Sequence, residues 1–330
     1  MEGVAMTWRN KTILVTGATG IVGSWMCRRL LHEGAEVVVL VRDWDPRSEL
    51  VRAGTIQSCR VVQGALEDYA SLERAISEHE IDTVLHLGAQ AIVGVALRSP
   101  LLTFESNIRG SYNLLEACRV HRDLVKAVVV ASSDKAYGDS DLLPYTEDMP
   151  LKGHHPYDVS KSCTDLLAHT YAHTYGLPVA IARCGNIYGG GDLNWSRIVP
   201  GTIRAAQENR APVLRSDGTN LRDYIFVDDV VEAYLALAAR CHEDAVRGEA
   251  FNFSPESRLS VLEITQAVLK AMGREDLTPQ VQATSRAEIQ DQYLNSEKAR
   301  SLLRWEPTHD LESGLAKTIA WYRDYLKVPV

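Results

Sequence analysis

Tyr157-Asp-Val-Ser-Lys161 sets a phenol and an ammonium four residues apart, hence on one face of a helix. An ammonium held close to a phenol favours the phenolate and draws its pKa toward neutrality. Such a phenolate can take the proton of a hydroxyl while hydride leaves the same carbon. A Tyr-x-x-x-Lys spacing is common by chance, so its weight comes from position. It lies about 140 residues past the glycine Gly17 and follows an apolar run that ends in Ser132-Ser133. Ser133 would give the reacting oxygen a hydroxyl partner and complete a Ser–Tyr–Lys arrangement.

A second cluster, Gly17-Ala-Thr-Gly20-Ile-Val-Gly23, follows the apolar run Ile13–Thr16 and opens a helical pattern. Glycines so placed allow a tight turn, close approach of backbone N–H groups to a pyrophosphate, and close helix–strand packing. The strand–turn–helix setting predicts a dinucleotide against Gly17, Thr19, Gly20, Ile21, Val22 and Gly23. The next apolar run ends in Arg42-Asp43, one residue of each sign. Asp43 can accept from the adenosine ribose hydroxyls of NAD, and Arg42 can stack on adenine. The competing reading makes both of them solvated turn residues.

These groups need a frame. Thr12–Thr16, Glu36–Val41, Arg60–Val62, Thr83–Leu87, Ala127–Ala131 and Val179–Ala182 read as short buried strands. Between them Ile21–Glu33, Ser71–His79, Pro100–Val120 and Tyr157–Tyr175 carry helical periodicity. Continuous apolar strands alternating with helices imply an α/β fold, a Rossmann doubly wound parallel sheet covered on both faces. After Arg183 the rhythm breaks into a loop around Gly189–Arg197. Helical patterns follow at Ile198–Glu208, Phe226–Cys241, Val261–Met272, Ser296–Leu303 and Leu311–Lys327. The expected organisation is a Rossmann domain over 1–183, to which 224–250 returns. A smaller, mixed α/β substrate-binding portion then spans 184–223 and 251–330, with a cleft between the two.

The net charge of −8 argues against a general nucleic-acid or anionic-membrane binder. Six scattered cysteines without a C-x-x-C pair suit reduced thiols and leave no zinc spacing, so no metal is expected. No stretch reaches the ~20 apolar residues of a membrane span, and Met1–Lys11 has no signal-peptide core. A cytoplasmic protein is expected.

Together these pieces resemble the extended short-chain dehydrogenase/reductase family over nearly the whole chain. The likeness rests on Gly17–Gly23, His86-Leu-Gly-Ala-Gln90, Ser106-Asn-Ile-Arg-Gly110, Ser132–Gly138 and Tyr157–Lys161. It continues in Arg183-Cys-Gly-Asn-Ile-Tyr-Gly189 and Leu221-Arg-Asp-Tyr-Ile225. The resemblance implies that Gly88, Ala89, Tyr157 and Lys161 meet the cofactor and that Gln90 lies by the substrate. It places Asn107 near the reacting groups, ordering the tyrosine–lysine pair, and Asn186 and Arg222 on the pyrophosphate of a nucleotide-linked sugar. One departure is that Gly64-Ala-Leu-Glu-Asp68 offers Ala65 where many members carry an acid. Adenine recognition is then expected from backbone groups of Leu66. A homodimer through a four-helix interface, formed by Pro100–Val120 and Tyr157–Tyr175, is implied by the family alone.

Within that family the subclass turns on Ser133-Asp134-Lys135. Sugar 4-epimerases usually have small or apolar residues after the serine, whereas nucleotide-sugar 4,6-dehydratases have an acid. Oxidation at C4 acidifies the C5 hydrogen; a base removes it while an acid protonates the leaving C6 hydroxyl, and hydride returns to C6. Asp134 would be that acid. Many dehydratases use a glutamate as the C5 base, but Ser-Asp-Lys is similar to the CDP-glucose 4,6-dehydratases, as is Gly189-Gly-Gly-Asp192 running on to Arg197-Ile-Val-Pro200. Lys135 is then either the C5 base, if desolvation holds it neutral, or a fixed charge stabilising the C4 enolate. The bland alternative is a plain Asp134–Lys135 ion pair. Hydride that is borrowed and returned favours tightly held NAD over NADP.

Arg197 and, less so, Arg215 are further candidates to meet the diphosphate. Tyr137, Tyr188 and Trp195 either line the sugar site or pack as core. His154-His155 reads as structural. Competing functions are a 4-epimerase, a dehydratase of another nucleotide sugar such as a GDP-heptose, and a catalytically silent NAD-sensing protein.

Overall fold

Each strand of the first half divides its residues between two cores. Ile13, Val15, Val37 and Val39 face one core with Met26 and Leu30 of the helix Ile21–His32 and Val230 and Leu237 of Val227–Arg240. Leu14, Val38, Leu40 and Val84 face the other, with Leu72 and Ile76 of Tyr69–Glu78, Leu114 of Gly110–Val120 and Ala168 of Pro156–Tyr175. Burial on both faces explains why these strands are unbroken apolar runs instead of alternating ones.

The computed structural model describes residues 8–283 and 289–327. Strands β1 (Thr12–Thr16), β2 (Glu36–Val41), β3 (Arg60–Gln63), β4 (Thr83–His86), β5 (Ala127–Ala131) and β6 (Val179–Cys184) form one parallel sheet. A seventh strand, Ala250–Phe253, pairs in parallel with β6, giving the order 250–253, β6, β5, β4, β1, β2, β3. The return to the main sheet therefore runs past residue 250, because Phe251 and Phe253 are core residues of that sheet. Chain order reverses between β1 and β4, and sheets of this class take their ligands at the carboxyl ends of the strands at such a reversal.

Two sequence expectations change. The helix expected over Pro100–Val120 is interrupted by a π turn at Glu105–Arg109, a feature common at functional sites. The pattern at Ser296–Leu303 gives only a short π turn, Ala299–Leu303. The second portion also carries a small sheet that the helical patterns hid. In it Leu221–Phe226 pairs with Asn186–Tyr188, Arg258–Ser260 and Asp291–Gln292. Its own core joins Tyr188, Ile203, Phe226, Ile264, Val268, Leu315 and Tyr322.

The six cysteines are unpaired. Among the described residues no helix is long and apolar enough to cross a membrane, and no cluster of metal-ligating side chains occurs.

Candidate active site

At the β1–β4 switch the glycines are required by contact. Gly17 has φ +69°, and a Cβ there would lie 2.7 Å from Gly88 N. A Cβ on Gly23 would fall 2.6 Å from Ala18 Cα, so only glycine lets the helix start against the turn. Gly20 is exposed, and a Cβ there would meet only Gly17 O, at 3.2 Å. The helix Ile21–His32 has no side-chain N-cap and no acid in its first turn, leaving its N–H groups for an anion. These features fit the diphosphate of a dinucleotide. Thr16 and His86 bind the two strand ends together, Oγ1 to Nδ1 at 2.8 Å, and Gly88 N donates to Thr16 Oγ1 at 3.0 Å. Burial pulls the His86 imidazole down to about 3, so it is a neutral strut.

Around the expected adenosine end, Arg42 and Asp43 form an exposed ion pair with each other at 2.6 Å. Leu66 packs where side chains at Gly88 and Gly110 would be, and its carbonyl accepts from Asn113 Nδ2 at 3.1 Å. Ala89 lies half-buried after Gly88.

The strand β5 ends at Ala131, and a 3-10 turn, Asp134–Tyr137, begins directly after Ser133. Ser133 Oγ donates to Asp134 Oδ1 at 2.9 Å and accepts from Lys135 N at 3.2 Å. The turn holds Asp134 inside the site, with only 3% of its surface exposed. Tyr157 and Lys161 enter from the first turns of Pro156–Tyr175, and Ser133 lies in hydrogen-bonding reach of the phenol. Lys161 Nζ donates to Ala131 O at 2.7 Å and sits 6.0 Å from the Tyr157 ring centroid.

The electrostatics depart from the expectation that Lys161 draws the phenol toward neutrality. Burial, and then the Asp134 charge, push Tyr157 up to about 12, against smaller downward pulls from Ser133 and Arg197. Burial also brings the Lys161 ammonium down to about 8. Desolvation is thus the largest influence on both groups.

Asn107 lies in the π turn and ties three elements together. Its Oδ1 accepts from Gln90 N at 2.7 Å, and its Nδ2 donates to Ser160 Oγ at 2.8 Å, which in turn donates to Tyr157 O at 2.7 Å. The second portion supplies Asn186, half-buried opposite Tyr224. Arg197 binds Asp192 Oδ2 at 2.7 Å and Ile187 O at 2.6 Å, and its charge reaches Tyr157. Arg222 is buried and donates to the carbonyls of Leu221, Ile289 and Gln290 at 2.6–2.8 Å. Arg215 lies outside the cluster, on Ser196 O at 2.9 Å.

The aromatic candidates pack. Tyr137 is buried between Asn252 and Arg183, whose guanidinium pairs with Asp165 at 2.8 Å. Tyr188 packs on Phe226 at 5.7 Å, and Trp195 packs on Tyr322 at 5.7 Å.

Two groups at the site went unread in the sequence. Lys135 Nζ donates to Gln292 Oε1 at 2.9 Å, bringing a residue of the last short strand to the catalytic turn. Asp223, 1% exposed, accepts from Leu294 N at 2.7 Å through Oδ2, while Oδ1 makes no well-formed hydrogen bond and the Ser254 hydroxyl lies near the carboxyl. Only the Arg-Asp dipeptide at 222–223 hinted at it.

Burial, the largest cause, raises the Asp223 carboxyl to about 7, helped by the charges of Asp134 and Glu256. The folded protein thus binds this proton more tightly than the unfolded chain. Its contribution to stability is present below the ordinary carboxylate range and is lost as pH rises through about 7. Asp223→Asn places an amide at that weakly met position and removes the charge. It is expected to add on the order of 1–3 kcal/mol of stability at about pH 8.5 and little at about pH 5. Urea unfolding at the two pH values checks this, and equal gains at both would refute it.

The profile of the NAD dependent epimerase/dehydratase family matches residues 13–253. A dTDP-glucose 4,6-dehydratase of Mycolicibacterium smegmatis is 31% identical, covering 94% of this chain and 93% of that protein. A CDP-glucose 4,6-dehydratase of Salmonella typhimurium is 27% identical, covering 97% and 92%. Among solved structures, a dTDP-glucose 4,6-dehydratase from Streptomyces venezuelae, crystallised with NAD and TYD, superposes with a TM-score of 0.85 at 28% identity. That match covers 95% of this chain and 97% of the other. A UDP-glucose 4-epimerase from Thermotoga maritima, with UDP-glucose, superposes at 0.86 and 28%, covering 96% and 99%.

Proposed function

The chain belongs to the NAD dependent epimerase/dehydratase family, and from that premise we propose that it dehydrates a nucleotide-linked hexose to the 4-keto-6-deoxy sugar, with CDP-glucose as the favoured substrate. The observation that carries the reading is a buried carboxyl, Asp134, beside Ser133 and Tyr157. An epimerase needs no such acid. A dehydratase needs one to protonate the C6 hydroxyl as it leaves.

Gly17, Thr19, Gly20, Ile21, Val22 and Gly23 would hold the NAD diphosphate, with Arg42 and Asp43 at the adenosine ribose, Leu66, Gly88 and Ala89 around the adenosine, and Tyr157 and Lys161 toward the reacting ring. NAD, when bound there, would supply a positive ring charge and the acceptor, later the donor, of the hydride exchanged with C4 and C6. Tyr157 Oη takes the proton of the C4 hydroxyl, with Ser133 holding the same oxygen. Lys135 then either accepts the C5 proton at Nζ as a neutral amine or, as an ammonium, stabilises the C4 enolate while the C5 proton passes to water. Asp134 gives its proton to the C6 hydroxyl, which departs as water. Gln90 and Asn107 flank the sugar, while Asn186, Arg197 and Arg222 face the diphosphate. For Arg222 this requires exchanging backbone carbonyls for phosphate oxygens.

Cytidine is preferred over thymidine because Ser133-Asp134-Lys135 is similar to the CDP-glucose enzymes. Turnover in D₂O with CDP-, dTDP- and UDP-glucose tests the reading. Deuterium at C5 of a 4-keto-6-deoxy product, formed fastest from CDP-glucose, is expected. Inverted C4 without label at C5 would make the protein an epimerase, and no conversion of any of them with cofactor bound would favour a silent NAD-binding protein. The exposed Leu97, Leu101, Leu102, Tyr112 and Leu166 on the helices between 93 and 175 support a homodimer, which sedimentation of the same preparation reads.

A further inference from the structure

Lys135 leaves the catalytic turn and ends on a side chain from the far end of the sequence. Its ammonium has only donors, so the contact at 2.9 Å requires the amide oxygen of Gln292 and fixes which way that amide faces. Gln292 is 1% exposed and is held in register by main-chain bonds from several elements. The strand Asp291–Gln292 pairs with Leu221 and Arg222. Just beyond it, Leu294 N donates to Asp223 Oδ2 at 2.7 Å, Tyr145 N donates to Tyr293 O at 2.9 Å, and Asn295 N donates to Tyr145 O at 2.9 Å. The segment is thus stitched both to the second portion and to the loop after the catalytic turn.

The other end of the amide is unusual. Gln292 Nε2 is enclosed, makes no well-formed hydrogen bond and lies by the Tyr145 phenol. A buried donor so weakly met is unfavourable, and methionine would fill the same volume without one. Glutamine also supplies an acceptor for the Lys135 ammonium, which methionine cannot. The contact is also one that the sequence pattern of the catalytic turn cannot provide for itself, since Asp134 is turned to Ser133.

We propose that Gln292 is a positioning residue for dehydration: it holds the Lys135 ammonium at the sugar site, so that the C5 step is assembled from both portions of the chain. This rests on the dehydratase reading. It applies to the role in which the charged Lys135 steadies the enolate, which needs Nζ in one place.

The test is a double-mutant cycle on the NAD-bound enzyme with Gln292→Met, Lys135→Met and both together. Gln292→Met is expected to lower kcat about 10- to 100-fold with KM nearly unchanged, and to slow deuterium entry at C5 in the same proportion. Reduced cofactor, read by its ultraviolet absorbance, should accumulate during turnover because C4 oxidation is untouched. Gln292→Glu keeps an acceptor and is expected to retain most of the rate. In the Lys135→Met background Gln292→Met should add no further loss. Losses that simply add, or a KM effect alone, overturn the assignment. NAD content and melting temperature equal to the parent separate positioning from misfolding. Should the parent protein convert no nucleotide sugar, the dehydratase reading falls by itself, and labelling of Lys135 by an amine-acylating reagent still decides the contact. Faster labelling in Gln292→Met supports it, and equal labelling removes it.

Discussion

Asp134→Asn is expected to keep NAD bound and to slow loss of water about 10²-fold or more, the scale of a general acid removed from its transition state. The substitution is nearly isosteric. Asn keeps an oxygen to accept from Ser133, whose Oγ lies 2.9 Å from Asp134 Oδ1, so the 3-10 turn has no reason to rearrange. It does remove the carboxylic acid proton that the dehydratase reading assigns to the C6 hydroxyl. Oxidation at C4, which uses Tyr157 and Ser133, is thus preserved while the later step stalls, and reduced cofactor builds up in the variant during turnover. Deuterium should still enter at C5, since that proton leaves to a different group. Turnover equal to the parent would strike Asp134 from the mechanism, and a loss without any build-up of reduced cofactor would place it at the oxidation step instead.

The parts of this site that the sequence made legible are those built from local spacing. The glycine turn, the Tyr157–Lys161 face and the Ser133 turn each lie within a few residues of chain, where backbone geometry dictates which side chains meet. The sheet was legible for a related reason: two-sided burial writes each strand as a continuous apolar run. What escaped was nonlocal or short. Ala250–Phe253 is four residues, and its membership of the main sheet depends on pairing with β6, some 70 positions earlier. The small sheet of the second portion escaped because strands such as Arg258–Ser260 and Asp291–Gln292 span only two or three residues. Gln292 carried no signal of its own and Asp223 only its place in the motif after Arg222; each matters through a partner reached across the fold. Arg222 illustrates the converse. Its motif was visible, but nothing in the sequence foretold that the guanidinium would rest on the carbonyls of Ile289 and Gln290.

Among the protein's own groups the Tyr157 phenol is pushed up by burial and Asp134, which escaped the sequence for the same reason: a spacing of four shows that Lys161 is near but not that both groups are buried with Asp134 beside them. That finding shapes the result expected of Tyr157→Phe, a loss of about 10³-fold within the usual range for general acid–base groups. Only Oη is deleted, and Asn107, acting through Ser160 on the Tyr157 carbonyl, holds the backbone as before. On the dehydratase reading the phenol, pushed up to about 12 by burial and Asp134 among the protein's own groups, takes the C4 hydroxyl proton only when ionised, so the fraction ionised is expected to set that step. The rate in the parent enzyme should therefore climb with pH as the phenol loses its proton, and in Tyr157→Phe this alkaline rise should vanish. The two variants also differ in what they accumulate. Asp134→Asn stalls after oxidation and builds up reduced cofactor, whereas Tyr157→Phe stalls before it and builds up none. Single-turnover absorbance on both, across pH, decides the matter: a pH-dependent rise that survives in Tyr157→Phe would show that some other group takes the C4 hydroxyl proton.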